Sequence, residues 1–305
     1  MHGETLFHFT KDFNTLISIL DDRAFEAHLS KETLVYINES GNQEELPPLL
    51  VPMVSFCDYK LSEISHHALN YGYYALGMTK EWAITNKLNP VLYLSENSDI
   101  AAGLRSLNKL LENIQKNNAY HNFADDIFKA SVKAIEIYAW TKNYQGLLKR
   151  NGKNISNFRF ADDKEWRYVA RMWEGNSEPD DTSLIGAIFT IIDSMRFIPE
   201  PNPDCSICGK PAKECPDHGN AELRSWKDFL DRNYINPQTR KLPFSWCDIR
   251  FILVRETADR QKLIKTIKEK FSSSDSDLKV DLLCEISSKI IVIDDLDLRA
   301  LFPTQ

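Results

Sequence analysis

Between Pro199 and Pro216 the chain carries five prolines and three cysteines, and this stretch limits what the whole can fold into. Proline lacks the backbone donor that a helix interior or a central strand requires. The regular core must therefore come from the chain on either side. Within the stretch, Cys205-x2-Cys208 and Cys215-x2-His218 form two close pairs across a six-residue gap. Three thiolates and one imidazole at that spacing suit a tetrahedral zinc ion, and Gly209 and Pro211 suit the turn after the first pair. Four protein ligands close the coordination shell, which makes the expected ion structural. The alternative is a set of unpaired cysteines in a Pro-rich loop. Cys57, Cys247 and Cys284 are scattered in apolar surroundings and read as buried thiols.

Around this interruption the hydrophobic pattern predicts an α+β chain. Thr5–Thr10 reads as a strand. Asp12 is suited to cap a helix whose Phe13, Leu16, Ile17 and Leu20 share one face. Residues 38–48 end in Pro47-Pro48 and read as a loop, and residues 49–56 as a second strand. A helix over 61–74, a strand over 75–79 and a strand over 91–94 follow. Apolar-striped helices are expected from 100 to 140, a polar, turn-rich stretch over 151–163 and a strand over 166–172. Residues 183–192 are ambiguous between strand and helix. A polar helix is expected over 221–233. The last elements are a strand over 248–255, an amphipathic helix over 258–271 and a strand over 289–293. The expected organisation is a first core portion over 1–198, a Pro/Cys zinc-knuckle insertion with its helix over 199–240, and a strand–helix–strand over 241–305 completing the core.

A hydrophobic content of 43% supports a substantial core, which excludes global disorder. The net charge of −7 confines any polyanion-binding face to local basic patches. No run of about 18 apolar residues occurs, so no spanning helix and no membrane partner is expected. The opening residues lack the basic and apolar regions of a signal peptide, and the expected location is the cytoplasm.

Three places put polar groups where apolar strands meet loops. His8 and Thr10 end the first strand, with Asn14 in the following helix, an arrangement able to grip hydroxyls and phosphates. Equally, His8 could be satisfied inside the core. Ser55 sits within an apolar strand, where its hydroxyl must find a partner, and Tyr71 downstream offers a ring for stacking. Glu165 stands where a polar loop becomes an apolar strand, held at an edge. A lone glutamate there is more often a salt-bridged edge residue, and only its company argues otherwise.

Together, His8-Phe9-Thr10, the Val51–Asp58 block, Tyr71-Gly72, Gly77–Trp82, Asn89–Tyr93 and Glu165–Val169 resemble the AbiGi family. Its members belong to bacterial abortive-infection systems against phage and are usually described as antitoxins. More distantly, the layout resembles ADP-ribosyltransferases of the DarT type. That second resemblance implies a split-sheet transferase core with NAD as substrate. Glu165 and His8 would be catalytic, and His8, Thr10, Asn14, Ser55 and Tyr71 would hold the dinucleotide. The sequence departs from that pattern in one respect, since no residue is assigned as the counterpart of the arginine expected there and Lys60 is no more than a guess at it. A fixed carboxylate suits the oxocarbenium-like state of nicotinamide–ribose cleavage. No Gly-rich dinucleotide fingerprint occurs, which disfavours a Rossmann dehydrogenase.

Two basic stretches bear on the acceptor. Lys142, Lys149, Arg150, Lys153 and Arg159 flank the loop before Glu165 and are suited to guide RNA or DNA, whereas Arg260, Lys262, Lys265, Lys268 and Lys270 read as a solvated helix face. The expectation is an NAD-dependent ADP-ribosyltransferase toxin of anti-phage defence acting on nucleic acid or, second, on protein. The other reading is a non-catalytic antitoxin or sensor that binds a cognate partner protein. The cysteine pairs carry a direct test. Purified protein is expected to contain about one equivalent of zinc, and fully folded metal-free protein would overturn the site.

Overall fold

A computed structural model describes residues 4–38, 40–46, 49–116, 137–150, 153–170, 237–271 and 283–294 of the chain. The zinc pairs, residues 183–192 and the 221–233 helix lie outside these residues.

The described fold is α+β, built on one mixed sheet. β1 (Thr5–Thr10) is followed by helix α1 (Phe13–Asp22). Asp12 caps that helix as its sequence implies, accepting from the Thr15 amide at 2.9 Å. Three short strands follow, β2 (Ala24–Glu26), β3 (His28–Glu32) and β4 (Val35–Ile37), with β5 (Gln43–Glu45) inside the stretch read as a loop. β6 (Leu49–Cys57), helix α2 (Ile64–Tyr71), β7 (Tyr74–Thr79) and helix α3 (Lys80–Thr85) come next. After β8 (Asn89–Pro90), β9 (Leu92–Leu94) and helix α4 (Asp99–Lys116), the chain returns as β10 (Thr141–Asn143), β11 (Gly146–Arg150), β12 (Lys153–Phe158) and β13 (Glu165–Val169). The last described elements are β14 (Lys241–Pro243), β15 (Ile249–Val254), helix α5 (Thr257–Phe271) and β16 (Ile290–Val292).

The main sheet runs β16-β15-β7-β1-β6-β13-β8, with β3 also paired to β6. Its pairings are antiparallel except β15 with β16, where α5 lies between the two parallel strands. β6 is the hub. Its first half pairs β3 through His28↔Met53 to Glu32↔Leu49, and its second half pairs β13 through Val169↔Met53 to Glu165↔Cys57.

Period-two alternation sorts the side chains onto two faces, and both are covered. Leu6, Val54, Phe56, Leu76, Met78 and Ile252 meet Phe13, Leu16 and Leu20 of α1 and Leu263 and Ile267 of α5 in the larger core. Phe7, Cys57, Ala75 and Leu253 meet Tyr59 and the α2 residues Ile64 and Ala68 on the opposite face. Burial of Cys57 agrees with its sequence reading. Cys247, in a surface turn, and Cys284, on the outer side of a short helix over 283–288, are exposed instead. Their apolar neighbours point inward while the thiols take the other side of the turn.

The helix expected over 61–74 stops at Tyr71 because Gly72 takes φ +117 and turns the chain into β7. A Cβ at Gly72 would collide with the carbonyl oxygen of Thr10. Gly72→Ala should therefore lower stability by about 3 kcal/mol through strain and forced separation of α2 from β1. Thermal melts test this, and an unchanged midpoint would mean the close approach is not maintained.

Candidate functional site

Glu165 opens β13 directly after Lys164, whose left-handed backbone (φ 45) ends the turn Phe160–Asp163 and swings the chain into the sheet. Its carboxylate is buried and gathers groups from two other strands, while its backbone amide meets a third. Ser55 of β6 donates through Oγ to Glu165 Oε1 at 2.8 Å, and Lys142 of β10 reaches Oε2 at 2.9 Å. The Glu165 backbone amide donates to the Tyr93 hydroxyl of β9 at 2.8 Å. Two residues along the same face, Arg167 donates from Nε to Glu165 Oε1 at 2.7 Å and from Nη1 to the Ala139 carbonyl at 2.8 Å. Its Nη2 lies 3.2 Å from Glu32 Oε1 of β3.

Glu32, Arg167, Glu165 and Lys142 thus form a chain of alternating charge with no net charge. Arg167 is wholly buried, at 0% exposure, so each guanidinium contact replaces water it has lost. Burial alone would raise the Glu165 carboxyl, but Lys142 and Arg167 outweigh it and hold the group at about 2, below its ordinary 4.5. Burial likewise disfavours the charged form of Arg167, yet Glu165 and Glu32 reverse the balance and raise its pKa.

A second polar knot adjoins it. Asp163 is buried and accepts from the hydroxyls of Tyr71 and Tyr59. The Tyr59 ring stacks on His67 at 3.5 Å between centroids. Burial, reinforced by Cys57 and Asp163, pushes the Tyr59 phenol far above its usual value.

The residues singled out from sequence divide across the sheet. Ser55, Tyr71 and Glu165 share the face that carries Phe7 and Cys57. His8 points to the other face, its ring 5.1 Å from Phe25 and 5.5 Å from Phe56. There its Nδ1 meets the Ser55 carbonyl at 2.9 Å, and burial lowers its pKa, favouring the neutral ring. Thr10 donates to the Asp12 carbonyl at 3.2 Å, and Asn14 is exposed on α1. Lys60 is exposed at the start of the turn Leu61–Glu63. The guanidinium that meets Glu165 is Arg167, which the sequence reading left out. Its signal was present, since two polar residues at i and i+2 in a strand lie on one face. Tyr93 and Glu32 gave no local signal, because only tertiary pairing brings them in.

Lys142 was grouped with a basic surface stretch, but its ammonium turns inward to Glu165 and lies over the Phe160 ring, 5.3 Å from the centroid. On α5, Arg260, Lys262, Lys265 and Lys268 are exposed, in keeping with a solvated face.

A family model described as "Putative abortive phage resistance protein AbiGi, antitoxin" matches residues 25–184, just over half of the chain. A protein of Lactococcus lactis subsp. cremoris named "Abortive phage resistance protein AbiGi" is 26% identical over 257 residues, covering 81% of this chain and 88% of that protein. No solved structure matches the chain. The matched stretch includes Glu32, Ser55, Tyr93, Lys142, Glu165 and Arg167. It excludes His8, Thr10, Asn14 and the Cys205–His218 pairs.

Removing the central carboxylate leaves two cations facing each other in the interior. Glu165→Gln should cost about 3 kcal/mol or more at neutral pH. The contribution is whole above the unfolded carboxyl value of 4.5 and fades as the pH falls toward about 2. Denaturation curves from pH 7 to pH 3 should show the gap between wild type and variant narrowing below about 4.5. A small, pH-independent gap would remove the cluster from the forces that hold the fold.

Proposed function

This chain belongs to the AbiGi family of abortive phage resistance proteins, and on that premise we propose that it serves anti-phage defence as a partner-binding antitoxin, without catalysis of its own. One observation carries the reading. The carboxylate expected to act on substrate is consumed internally by Lys142, Arg167 and Ser55, while the histidine expected beside it faces the opposite core. A carboxylate that stabilises a developing cation must present its charge to the reacting atoms. Here that charge is neutralised from two sides and buried. The family description as an antitoxin points the same way, toward a partner protein.

The transferase reading retains one support. β1, β6 and β13 are consecutive neighbours in the sheet, and they carry His8, Ser55 and Glu165. On that reading NAD would have to enter beside Ser55 and Glu165, with Lys142 displaced to open the carboxylate. Zinc at Cys205, Cys208, Cys215 and His218 stays part of the proposal on the sequence pattern alone, as a staple for the Pro-rich segment.

Expression of the chain alone, then with a neighbouring toxin gene, separates the two. The expected result is normal growth alone, rescue of growth with the toxin, and no label transferred from NAD to nucleic acid or protein. Growth arrest by the chain alone, with label transfer lost in Glu165→Gln and in Ser55→Ala, would overturn the antitoxin reading in favour of the enzyme.

A further inference from the structure

Between α3 and the turn Trp246–Asp248 the described surface opens into a cleft of about 590 Å³, the size of a site that takes a ligand or a short chain segment. Glu81, Trp82 and Thr85 line it from the helix, and Phe244, Ser245 and Asp248 line it from the other side. Trp82 and Phe244 are buried, at 5% and 7% exposure, and line its depth. Glu81, Thr85 and Ser245 are exposed at its rim.

Both walls are fixed. Trp82 Nε1 donates to the Pro243 carbonyl at 3.0 Å, which ties the helix to β14. The Thr79 hydroxyl caps α3 by accepting from the Trp82 amide at 3.3 Å, and the Phe244 amide donates to the Arg23 carbonyl at 2.9 Å. The Phe25 ring packs against both, 5.8 Å from Trp82 and 5.1 Å from Phe244 between centroids. In the turn, Asp248 Oδ2 accepts from the Ser245 amide at 2.7 Å. A site shaped before its occupant arrives loses little freedom on filling.

The cleft carries unbalanced negative charge. Glu81 and Asp248 both line it, and among the described residues neither forms a salt bridge. Lys80, Lys241 and Arg250 are committed to Asp58, Asp22 and Glu4, and Lys87, just past α3, does not line the cleft. A concave surface with one sign of charge over low-dielectric walls focuses its field and draws in the opposite charge. The same charge repels phosphates, which disfavours nucleic acid. The exposed rim decides between a small cation and a chain segment. Small-molecule sites enclose most of their ligand, whereas here a small cation would stay open to water along Glu81, Thr85 and Ser245. A segment of protein chain covers that rim.

We propose that this cleft takes a basic segment of a protein partner, its Lys or Arg heads paired with Glu81 and Asp248 and their aliphatic stems laid against Trp82 and Phe244. The inference rests on the partner-binding reading and names the surface that does the binding. Lys and Arg suit such a place because each carries an apolar stem beneath a charged head. The stem finds the aromatic depth of the cleft and the head its carboxylates. Complementary charge steers the encounter within a chain of net charge −7, and the buried stems hold it.

The test titrates full-length protein into a fluorescein-labelled nonapeptide of alternating Arg and Leu, read by anisotropy, beside the same peptide with Glu in place of Arg. The variant combines Glu81→Gln with Asp248→Asn, which removes both charges and keeps an acceptor for the Ser245 amide. The basic peptide should bind and the acidic one should not. The double variant should bind about tenfold more weakly at an unchanged melting temperature. Should it melt early, Glu81→Gln alone, which breaks no contact among the described residues, should still weaken binding about threefold. No binding of the basic peptide, equal binding of the acidic one, or unchanged affinity in the variants would each overturn the proposal. So would displacement of the peptide by equimolar spermine, which would assign the cleft to a small cation. In cells, the double variant should lose rescue of growth from the toxin. If it rescues as well as wild type, the cleft fails and the antitoxin reading stands. If wild type rescues nothing and transfers label from NAD, while the variants lose the peptide, that reading fails and the cleft stands.

Discussion

A buried guanidinium organises one half of this sheet. Arg167 has no exposed surface, so every contact it makes must replace water, and it finds Glu165, Glu32 and the Ala139 carbonyl. Those partners come from β13 itself, from β3 and from the turn before β10. Lys142 then completes the charge balance through Glu165. Segments distant in sequence are thus held in one register by a single electrostatic requirement. Aliphatic residues of similar volume could fill the same space, but they would not specify which strand lies beside which.

Much of the sheet was legible because its strands are long, apolar and bounded by clear punctuation. β1, β6, β7, β15 and β16 match runs of alternating or continuous hydrophobicity, and the Asp12 cap and the α1 stripe follow local rules that tertiary structure does not override. The short strands β2, β3, β4 and β12 were not legible. Residues 153–158 are polar, with Asn157 in a left-handed conformation, so no hydrophobic period marks them as a strand. They pair because β11 lies alongside. Paired strands of three to six residues owe their conformation to their neighbours more than to their own composition.

The site was half legible for a related reason. Ser55 and Glu165 stood out as polar residues in apolar runs, and the structure joins them at 2.8 Å. His8 stood out by the same criterion. Strand parity carries it to the other side of the sheet, where Phe25, Phe56 and the Ser55 carbonyl satisfy it. A one-dimensional pattern reports that a polar group is enclosed. It does not report which face encloses it until register is fixed, and register depends on pairings between strands far apart in the sequence, β1 with β6 and β7 and β6 with β13. Lys142 was misplaced on the surface for the same reason, since its partner lies 23 residues away on another strand.

The order of strands also governs when the molecule can assemble. β7 sits between β1 and β15, so one side of it pairs with a segment made first and the other with a segment that begins at Ile249. At ordinary rates of translation, β15 follows β7 by roughly ten to thirty seconds. Until it arrives, the backbone of β7 presents an unpaired edge, and the larger core lacks Ile252, Leu263 and Ile267. A nascent chain is therefore sticky and incomplete for most of its synthesis, and relative contact order of this kind makes closure slow. A host that halts translation early during infection would leave behind unfinished copies with open sheets, so the supply of working protein is set by what was completed beforehand.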